Sequence, residues 1–287
     1  MAADHPQSAP PRTRDEIDAL DRIDARVREI ASSLGAREMQ YPALIARQVL
    51  ERAGYPRAFP HLLMFASRNV LPEGGDTGQP PSAGCAAADV DDGARDWCLS
   101  PAVCYHVFAQ LAGRVIEDAT VLTARGRCFR AERETAPGIR QIEFEMREIV
   151  LLGPIAWIDA CTEAARLAIQ ATAVQVGLSG DWQAAEDPFF LPAAAGRAMM
   201  QRLLKVKLEY QSPGAGELAL SSINRHGAFF GQRFGIRTPE GEPIHTACIA
   251  FGLDRWSHRC QAHAAATVRL KPDTTIRAKA AAGPHPH

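Results

Sequence analysis

The apolar residues near the N-terminus of this chain recur with helical periodicity. The segment 13–35 begins at Thr13, carries acidic residues in its first turn and ends at Gly35. The apolar positions of this segment are Ile17, Leu20, Ile23, Val27 and Ile30. Steps of three and four residues place them on one face of an α-helix, with Thr13 as its N-terminal cap. The next segment, MQYPALIARQVLERAGY, predicts a short extended stretch and a second helix that Gly54 stops.

From Val121 onward the apolar residues alternate, which is typical of β-strands. The segments VLTARGRCFRAE and QIEFEMREIVLLG predict an antiparallel hairpin with TAPGIR as its turn. We predict a long helix in IAWIDACTEAARLAIQATAVQVGLSG, a further helix through RAMMQRLL, strands in KVKLEY, ELALSSIN and TACIAFG, and a last helix in GLDRWSHRCQAHA. Interleaved helices and mostly antiparallel strands indicate an α+β fold with an antiparallel sheet flanked by helices.

Three stretches lack this periodicity and are rich in turn residues, Ala, Pro or charge. We predict that residues 1–12 are disordered, that 72–96 form a long loop or flap, and that 267–287 form a disordered tail. Residues 13–266 are therefore predicted to fold as one domain.

Composition narrows the functional classes. The chain has 287 residues with 32 Lys and Arg against 33 Asp and Glu, so no general basic field favours nucleic acid. Its seven cysteines are odd in number and include no C-x-x-C pair, which favours a reducing cytoplasm over a secreted disulfide framework. No apolar run approaches the length of a membrane span, so we expect no membrane partner.

The predicted hairpin carries charged side chains on faces that are otherwise apolar or small. Alternation places Arg130 and Glu132 on one face of the first strand. They could instead form an ordinary surface ion pair, which contributes under about 1 kcal/mol. On the second strand Phe144 and Glu148 share an apolar face, and a carboxylate there needs a cation or a metal. Glu148 could pair with Arg147 or with another cation.

Two cysteines lie where a thiolate could act. Ser100 is the predicted N-cap of a helix with Pro101 at its first position, so Cys104 would lie near a helix N-terminus, where a thiolate is favoured. Cys248 lies among small residues on a predicted strand. Together with Glu148, these two thiolates would form a three-ligand zinc site with an open position. The alternative for any single cysteine is a small buried apolar residue.

Several motifs resemble those of known enzymes. CFRAE followed by F-x-x-x-E is similar to motif 2 of class II aminoacyl-tRNA synthetases, and CIAFGLDRW is similar to their motif 3. The set CLSPAVCYH, TARGRCFRAE, FEMREIVLLG, SSINRHGAFFG and ACIAFGLDRW resembles the amino acid:[carrier protein] ligases, truncated relatives of the zinc-dependent seryl-tRNA synthetases. The resemblance spans Thr13 to Trp256 and implies a class II synthetase-like catalytic domain over 13–266.

The resemblance also implies roles for individual residues. The implied zinc ligands are Cys104, Glu148 and Cys248, and the free coordination position takes the substrate's amino group. The implied nucleotide-site residues are Arg130 on the α-phosphate of ATP, Glu132 on the adenine amino group, Phe144 stacked on the ring, Arg255 at the γ-phosphate, and Lys207, Ser222 and Asn224 nearby. Arg130 and Arg255 are the implied catalytic residues.

The implied activity is ATP-dependent ligation. A small amino acid, glycine or alanine, would become an aminoacyl-adenylate with Mg²⁺ shielding the phosphates. The acyl group would then pass to the phosphopantetheine thiol of a carrier protein. A homodimer is expected, because class II catalytic domains commonly dimerise through motif 1.

Two other functions compete with this one. Aminoacylation of tRNA in the manner of seryl-tRNA synthetases is disfavoured, because about one helix and a loop precede the motifs and the charge is balanced. A degenerate, zinc- or nucleotide-binding regulatory paralogue is suggested by the polar sequence SHRCQAHAAATVRLKPDTT after motif 3, which puts the packing beneath Arg255 in question. Retention of Arg130, Glu132 and Arg255 argues against such decay.

Overall fold

The structure, a computed structural model, describes residues 11–67, 96–185, 206–214 and 216–270, with side chains described to Ala264. The helix predicted through RAMMQRLL lies outside the described residues, as does nearly all of the predicted loop 72–96.

The described helices and strands follow most of the predicted segments. The helices are α1 (Arg14–Ser33), α2 (Arg47–Ala53), α3 (Tyr55–Ala58), α4 (Cys104–Gln110), α5 (Ile155–Gln175), α6 (Phe229–Phe234) and α7 (Leu253–Leu270). The strands are β1 (Arg37–Glu38), β2 (Leu44–Ala46), β3 (Phe65–Ala66), β4 (Trp97–Leu99), β5 (Thr120–Phe129), β6 (Glu143–Gly153), β7 (Asp181–Ala184), β8 (Lys207–Ser212), β9 (Leu218–Gly227) and β10 (His245–Gly252). A 3₁₀ turn, Pro60–Leu62, follows α3.

One sheet organises the molecule. Among the described residues its strand order is β1-β5-β6-β10-β9-β8-β7, and β2, β4 and β3 form a smaller sheet. β1 runs parallel to β5, and every other neighbouring pair in the large sheet is antiparallel. The predicted α+β architecture with an antiparallel sheet flanked by helices is confirmed.

Helices cover both faces of the large sheet. Leu20, Ile158 and Trp256, from α1, α5 and α7, join one buried cluster that includes Ile149 of β6. Phe108 and Phe230, from α4 and α6, join a second cluster on the opposite face with Val150 of β6. Because both faces are buried, β6 reads as a continuous apolar run at IVLL rather than as an alternation.

The amphipathic helix predicted at the N-terminus is α1. Thr13 and Glu16 form a reciprocal capping box at its start, which satisfies backbone N–H groups that have no partner within the helix. Leu20 and Val27 are each 2% exposed, whereas Ile17 on the same predicted face is 40% exposed. The apolar stripe therefore contacts the sheet from Leu20 onward.

A buried arginine attaches α1 to the sheet. Arg147 of β6 is 2% exposed and donates to both carboxylate oxygens of Asp24, at 2.7 and 3.0 Å, and to Glu38 at 3.1 Å. Its side chain lies on the face of β6 opposite Glu148, as strand alternation requires. The alternative pairing of Glu148 with Arg147 is wrong.

Both ends of the described domain extend beyond the predicted limits. Arg12, in the segment predicted to be disordered, forms ion pairs with Glu145 and Asp254. At the other end α7 continues to Leu270, into the segment predicted as a tail from 267. Every helix among the described residues is too short or too polar to span a lipid bilayer.

Candidate active site

A cavity of about 670 Å³ lies on the α4 and α6 face of the large sheet. All of the predicted site residues line it: Cys104, Arg130, Glu132, Phe144, Glu148, Lys207, Ser222, Asn224, Cys248 and Arg255. Its size is in the ordinary range for small-molecule sites. The structure therefore brings the predicted metal and nucleotide residues into one space.

Three potential metal ligands converge in this cavity. Cys104 is the first residue of α4, Glu148 lies on β6, and Cys248 lies on the adjacent strand β10. One ligand atom from each lies within 4.8 Å of the other two, and all three residues are buried. Two sulfurs and one carboxylate oxygen fit Zn²⁺ and leave a fourth position open, as catalytic zinc sites do.

The ionisation of these groups also fits a metal. Burial raises the pKa of Glu148 and of Cys248. The pKa of the Cys104 thiol lies well above its ordinary value, because of its hydrogen bond with Cys248 and its burial. Protein surroundings alone therefore favour neutral thiols, whereas a bound cation favours the thiolate and carboxylate forms that act as ligands.

The start of α4 differs from the prediction. The helix begins at Cys104 with Val103 as the capping residue, and the Ser100 hydroxyl donates to the carbonyl of Ala102 at 2.9 Å. Ser100 is thus not the N-cap, and Pro101 is not the first helical residue. The Cys104 backbone N–H instead donates to the Glu148 carboxylate, so the helix start orients the carboxylate as well as the thiol.

Arg130 lies just beyond the end of β5. Its backbone N–H donates to Ile142 O at 2.9 Å, and the backbone N–H of Glu132 donates to Arg130 O at 2.7 Å. The chain turns here, so the predicted strand alternation stops before Glu132. The Arg130 guanidinium lies 5.0 Å from the centroid of the Phe144 ring and 3.3 Å from Pro101 O. Its described contacts include no ion pair with Glu132, so the surface ion-pair alternative is wrong.

Arg255 lies in the first turn of α7, as predicted. Its guanidinium donates to Ile139 O at 2.9 Å and to Ala219 O at 3.0 Å. Burial, followed by the positive charge of Arg130, lowers its pKa, and Arg140 acts in the same direction. Such a concentration of positive charge in a buried space is relieved by a bound anion.

The helix beneath Arg255 is firmly packed despite the polar sequence that follows it. Leu253 is fully buried and Trp256 is 1% exposed. The indole N–H of Trp256 donates to Ser221 Oγ at 3.0 Å, and its ring stacks on Tyr210. The C-terminal sequence therefore leaves the support of Arg255 intact.

The remaining predicted residues lie on β8 and β9 along the cavity wall. Lys207 Nζ is 3.0 Å from Glu209 Oε1, and Asn224 donates to Ser222 Oγ at 3.2 Å. Asn224 pairs with Cys248 in the β9–β10 register. These polar groups thus line the cavity wall between the arginines and the potential metal ligands.

Sequence reasoning missed several residues of the cavity wall. Tyr55, Arg57 and Arg233 line it, although they belong to helices of four and six residues that show no clear periodicity. His226 also lines the cavity, with Nδ1 3.1 Å from Thr246 Oγ1. His106 stacks on Tyr41, and its burial lowers its pKa to about 4.

Comparison with known proteins agrees with this geometry. No family model matches the chain. The chain is 31% identical over 236 residues to amino acid–[acyl-carrier-protein] ligase 1 of Bradyrhizobium diazoefficiens, covering 77% of this chain and 69% of that protein. It is 32% identical to ligase 2 of the same organism, covering 76% and 66%. A type-2 serine–tRNA ligase of Methanothermobacter thermautotrophicus is 24% identical over 80% of this chain and 48% of its own length.

A solved structure shares the fold. The seryl-tRNA synthetase of M. kandleri, in complex with A. aeolicus tRNASec, superposes with a TM-score of 0.72 and 18% sequence identity. The match covers 91% of this chain and 55% of that chain, which confirms the predicted class II synthetase fold. With the sequence relatives and the fold in agreement, the chain belongs to the family of amino acid–[acyl-carrier-protein] ligases.

Proposed function

We propose that this protein activates a small amino acid, glycine or alanine, with ATP and transfers it to the phosphopantetheine thiol of a carrier protein. The observation that carries this proposal is the single cavity that joins the Cys104, Glu148 and Cys248 cluster to Arg130 and Arg255. A metal site can hold the amino group of an amino acid and a cationic site can hold a triphosphate, so this one cavity can bring both substrates of amino acid activation together. Family membership supports the carrier protein as the acceptor.

In the first step the amino acid carboxylate attacks the α-phosphorus of ATP. The new bond joins a carboxylate oxygen to the α-phosphorus. The bond from that phosphorus to the oxygen bridging the α- and β-phosphates breaks, and pyrophosphate leaves with the electron pair; Mg²⁺ would shield the phosphate charges. Arg130 holds the α-phosphate, where negative charge develops. Arg255 holds the γ-phosphate through its planar donor fork. Phe144, against which Arg130 already lies, stacks on adenine, and Glu132 accepts from the adenine amino group.

The metal-ligand cluster selects the substrate. Cys104, Glu148 and Cys248 would hold Zn²⁺, which as a Lewis acid supplies a coordination position for the α-amino group. Carboxylic acids without an amino group are rejected, because they leave this position unfilled. Lys207, Ser222 and Asn224 contribute polar contacts to the bound nucleotide.

In the second step the thiol sulfur bonds to the acyl carbon. The bond between that carbon and the phosphate oxygen breaks, AMP leaves with the electron pair, and the thiol proton passes to solvent. The product is a thioester on the carrier arm.

Exchange of labelled pyrophosphate into ATP tests the first step. We expect exchange with glycine or alanine and none with acetate or propionate, the same acids without the amino group. Absence of exchange with every amino acid in a folded, zinc-loaded sample would overturn the proposal and favour a regulatory paralogue.

Acceptor choice is tested separately. We expect loading of a holo carrier protein and none of its apo form, which lacks the arm. Charging of tRNA alone would instead support the seryl-type alternative.

We further propose that the protein is a cytoplasmic homodimer. Its site depends on reduced thiols, which a reducing compartment preserves, and dimers are common among class II catalytic domains. Sedimentation at twice the chain mass of 31.1 kDa is expected.

A further inference from the structure

A group of exposed arginines lies where α2, α3 and α6 meet. Arg57 and Arg233 line the cavity, and Arg52 joins Arg233 through reciprocal hydrogen bonds. The Nε of Arg52 donates to Arg233 O, and Arg233 Nη1 donates to Arg52 O at 3.4 Å. We refer to Arg52, Arg57 and Arg233 as the arginine rim. The rim combines three positive charges with access to the cavity.

None of the carboxylates that the structure describes neutralises the charge of the arginine rim. Arg52 lies 5.0 Å from the centroid of the Phe234 ring, and Arg233 lies 5.3 Å from that of Phe229. Backbone carbonyls and aromatic rings orient a guanidinium but leave its net charge in place. Across the described part of the chain, no carboxylate forms an ion pair with any of the three. The rim is therefore ready to bind an anion.

The arginine rim lies at the opposite end of the cavity from Arg255. Arg255 donates to Ala219, near the start of β9. Asn224, farther along β9, pairs with Cys248 of the ligand cluster, about 16 Å from Ala219 at the usual rise of a strand. β9 then leads into α6, which carries Arg233. The order along the cavity is therefore Arg255, the metal ligands and the arginine rim.

A buried hydroxyl marks the wall between the rim and the motif 2 residues. Tyr55 is 5% exposed and lines the cavity, and its hydroxyl has no hydrogen-bond partner among the described residues. Burial raises its pKa to about 12, so it stays protonated as a donor. Because an unpaired buried hydroxyl is unfavourable, its presence points to a ligand with a polar group. Tyr55 and Arg57 belong to the same short helix, α3.

We propose that the arginine rim binds the phosphate of the phosphopantetheine arm, and that Tyr55 donates to a carbonyl of the arm inside the cavity. This inference rests on the proposed function. A carrier arm has an anion at its attached end, amides along its length and a thiol at its tip. The phosphate binds at the arginine rim, the amides pass Tyr55, and the thiol reaches the acyl carbon between the metal ligands and Arg130.

The test compares two free acceptors, phosphopantetheine and pantetheine, which differ only in the phosphate. For the wild-type enzyme we expect a higher kcat/KM with phosphopantetheine. In the double variant Arg57→Ala and Arg233→Ala, the ratio of the two values should fall about tenfold, the worth of a lost charge-assisted hydrogen bond. The matched control is Arg237→Ala, since Arg237 is exposed, follows α6 and donates from its guanidinium to the carbonyl of Gly241. It should keep the wild-type ratio.

Tyr55→Phe separates the second contact from the first. It should lower kcat/KM for both acceptors alike, by about threefold to tenfold, and leave their ratio unchanged. Thermal unfolding and zinc content establish that each variant is folded.

Two results would overturn the inference. An unchanged ratio of kcat/KM for the two acceptors in the double variant would show that the rim does not bind the phosphate. A loss seen with holo carrier protein but not with free phosphopantetheine assigns the arginines to acidic side chains of the protein.

Failure of the proposed function gives a different pattern. In that case the wild-type enzyme shows no pyrophosphate exchange. The affinities of the two acceptors are then compared by calorimetry in place of kcat/KM. Tighter binding of phosphopantetheine than of pantetheine, lost in the double variant, would support the rim alone, whereas equal binding would refute it.

Discussion

Cys104 and Cys248 differ from Cys161 in their surroundings rather than in their chemistry. Cys104 and Cys248 are both buried beside Glu148, and the sulfur of each lies within 4.8 Å of a carboxylate oxygen. Cys161 is half-buried on α5 and packs against the cluster on the other face of the sheet. The same residue type therefore acts as a packing group in one place and as a potential metal ligand in the other.

Replacing either ligand cysteine should remove the metal. In Cys104→Ser and Cys248→Ser, we expect bound zinc to fall from one equivalent per chain to near zero after dialysis. Pyrophosphate exchange should fall by about a hundredfold or more, because loss of a direct ligand exceeds the usual effect of an outer contact. Inductively coupled plasma mass spectrometry measures the bound zinc, and the exchange assay measures the activity.

The matched control for this prediction is Cys161→Ser. It should retain both zinc and exchange activity, since Cys161 lies outside the cavity. Full zinc binding in both ligand variants would contradict the assignment of the site.

The residue types of the site could be predicted from sequence, but their convergence could not. Glu148 stands out as an acid within an apolar stripe, yet its proximity to Cys104 joins positions 44 residues apart. Spacing alone does not reveal such a contact, and the family resemblance supplied it. Tyr55 and Arg57 left no signal, because the four residues of α3 are too few to show a period.

At the scale of whole elements, local features were predicted well and long-range pairings were not. The Thr13 cap of α1 and the hairpin of β5 and β6 depend on neighbouring residues, and both predictions are confirmed. The prediction of Ser100 as an N-cap was wrong, because its hydroxyl donates to the carbonyl of Ala102. Such local bonds to the backbone compete with capping for any serine near a turn. The pairing of Arg147 with Asp24 spans 123 residues and could not be predicted from sequence.

The attachment of α1 to β6 should depend strongly on that pairing. Asp24→Ala leaves the guanidinium of Arg147 buried with one acceptor fewer on each of two nitrogens. We expect a loss of about 3–5 kcal/mol in the free energy of unfolding, as for other broken buried pairs. Urea denaturation followed by circular dichroism measures it.

Asp21→Ala provides the comparison on the same helix. Asp21 pairs with Arg125 at 2.8 Å, but its side chain is 53% exposed. Its removal should cost less than about 1 kcal/mol. Equal losses of unfolding free energy in the two variants would show that burial does not determine how much each ion pair contributes to stability.

At the scale of the whole molecule, Glu145 connects segments that are distant in sequence. Its carboxylate accepts from Arg125 of β5 and from Arg12 ahead of α1, and its backbone N–H donates to Asp254 of α7. Burial acts to raise its pKa, but the hydrogen bonds and charges of Arg125 and Arg12 outweigh that effect and lower it below the ordinary value of 4.5. The folded state therefore favours the ionised carboxylate.

Acid should weaken this connection in a defined pH range. A carboxyl group whose pKa is lower in the folded than in the unfolded state contributes its full stabilisation above the unfolded pKa and loses it as the pH falls through the folded pKa. The free energy of unfolding should thus decline below about pH 4.5, and it should decline less steeply in Glu145→Gln, whose amide cannot ionise.

Glu29→Gln, on the exposed side of α1, is the control and should keep the wild-type slope. Urea titrations at pH 3.5 to about 6 measure these slopes. Identical slopes for the wild type and Glu145→Gln would mean that Glu145 is not the acid-sensitive link between the N-terminal segment, β5 and α7.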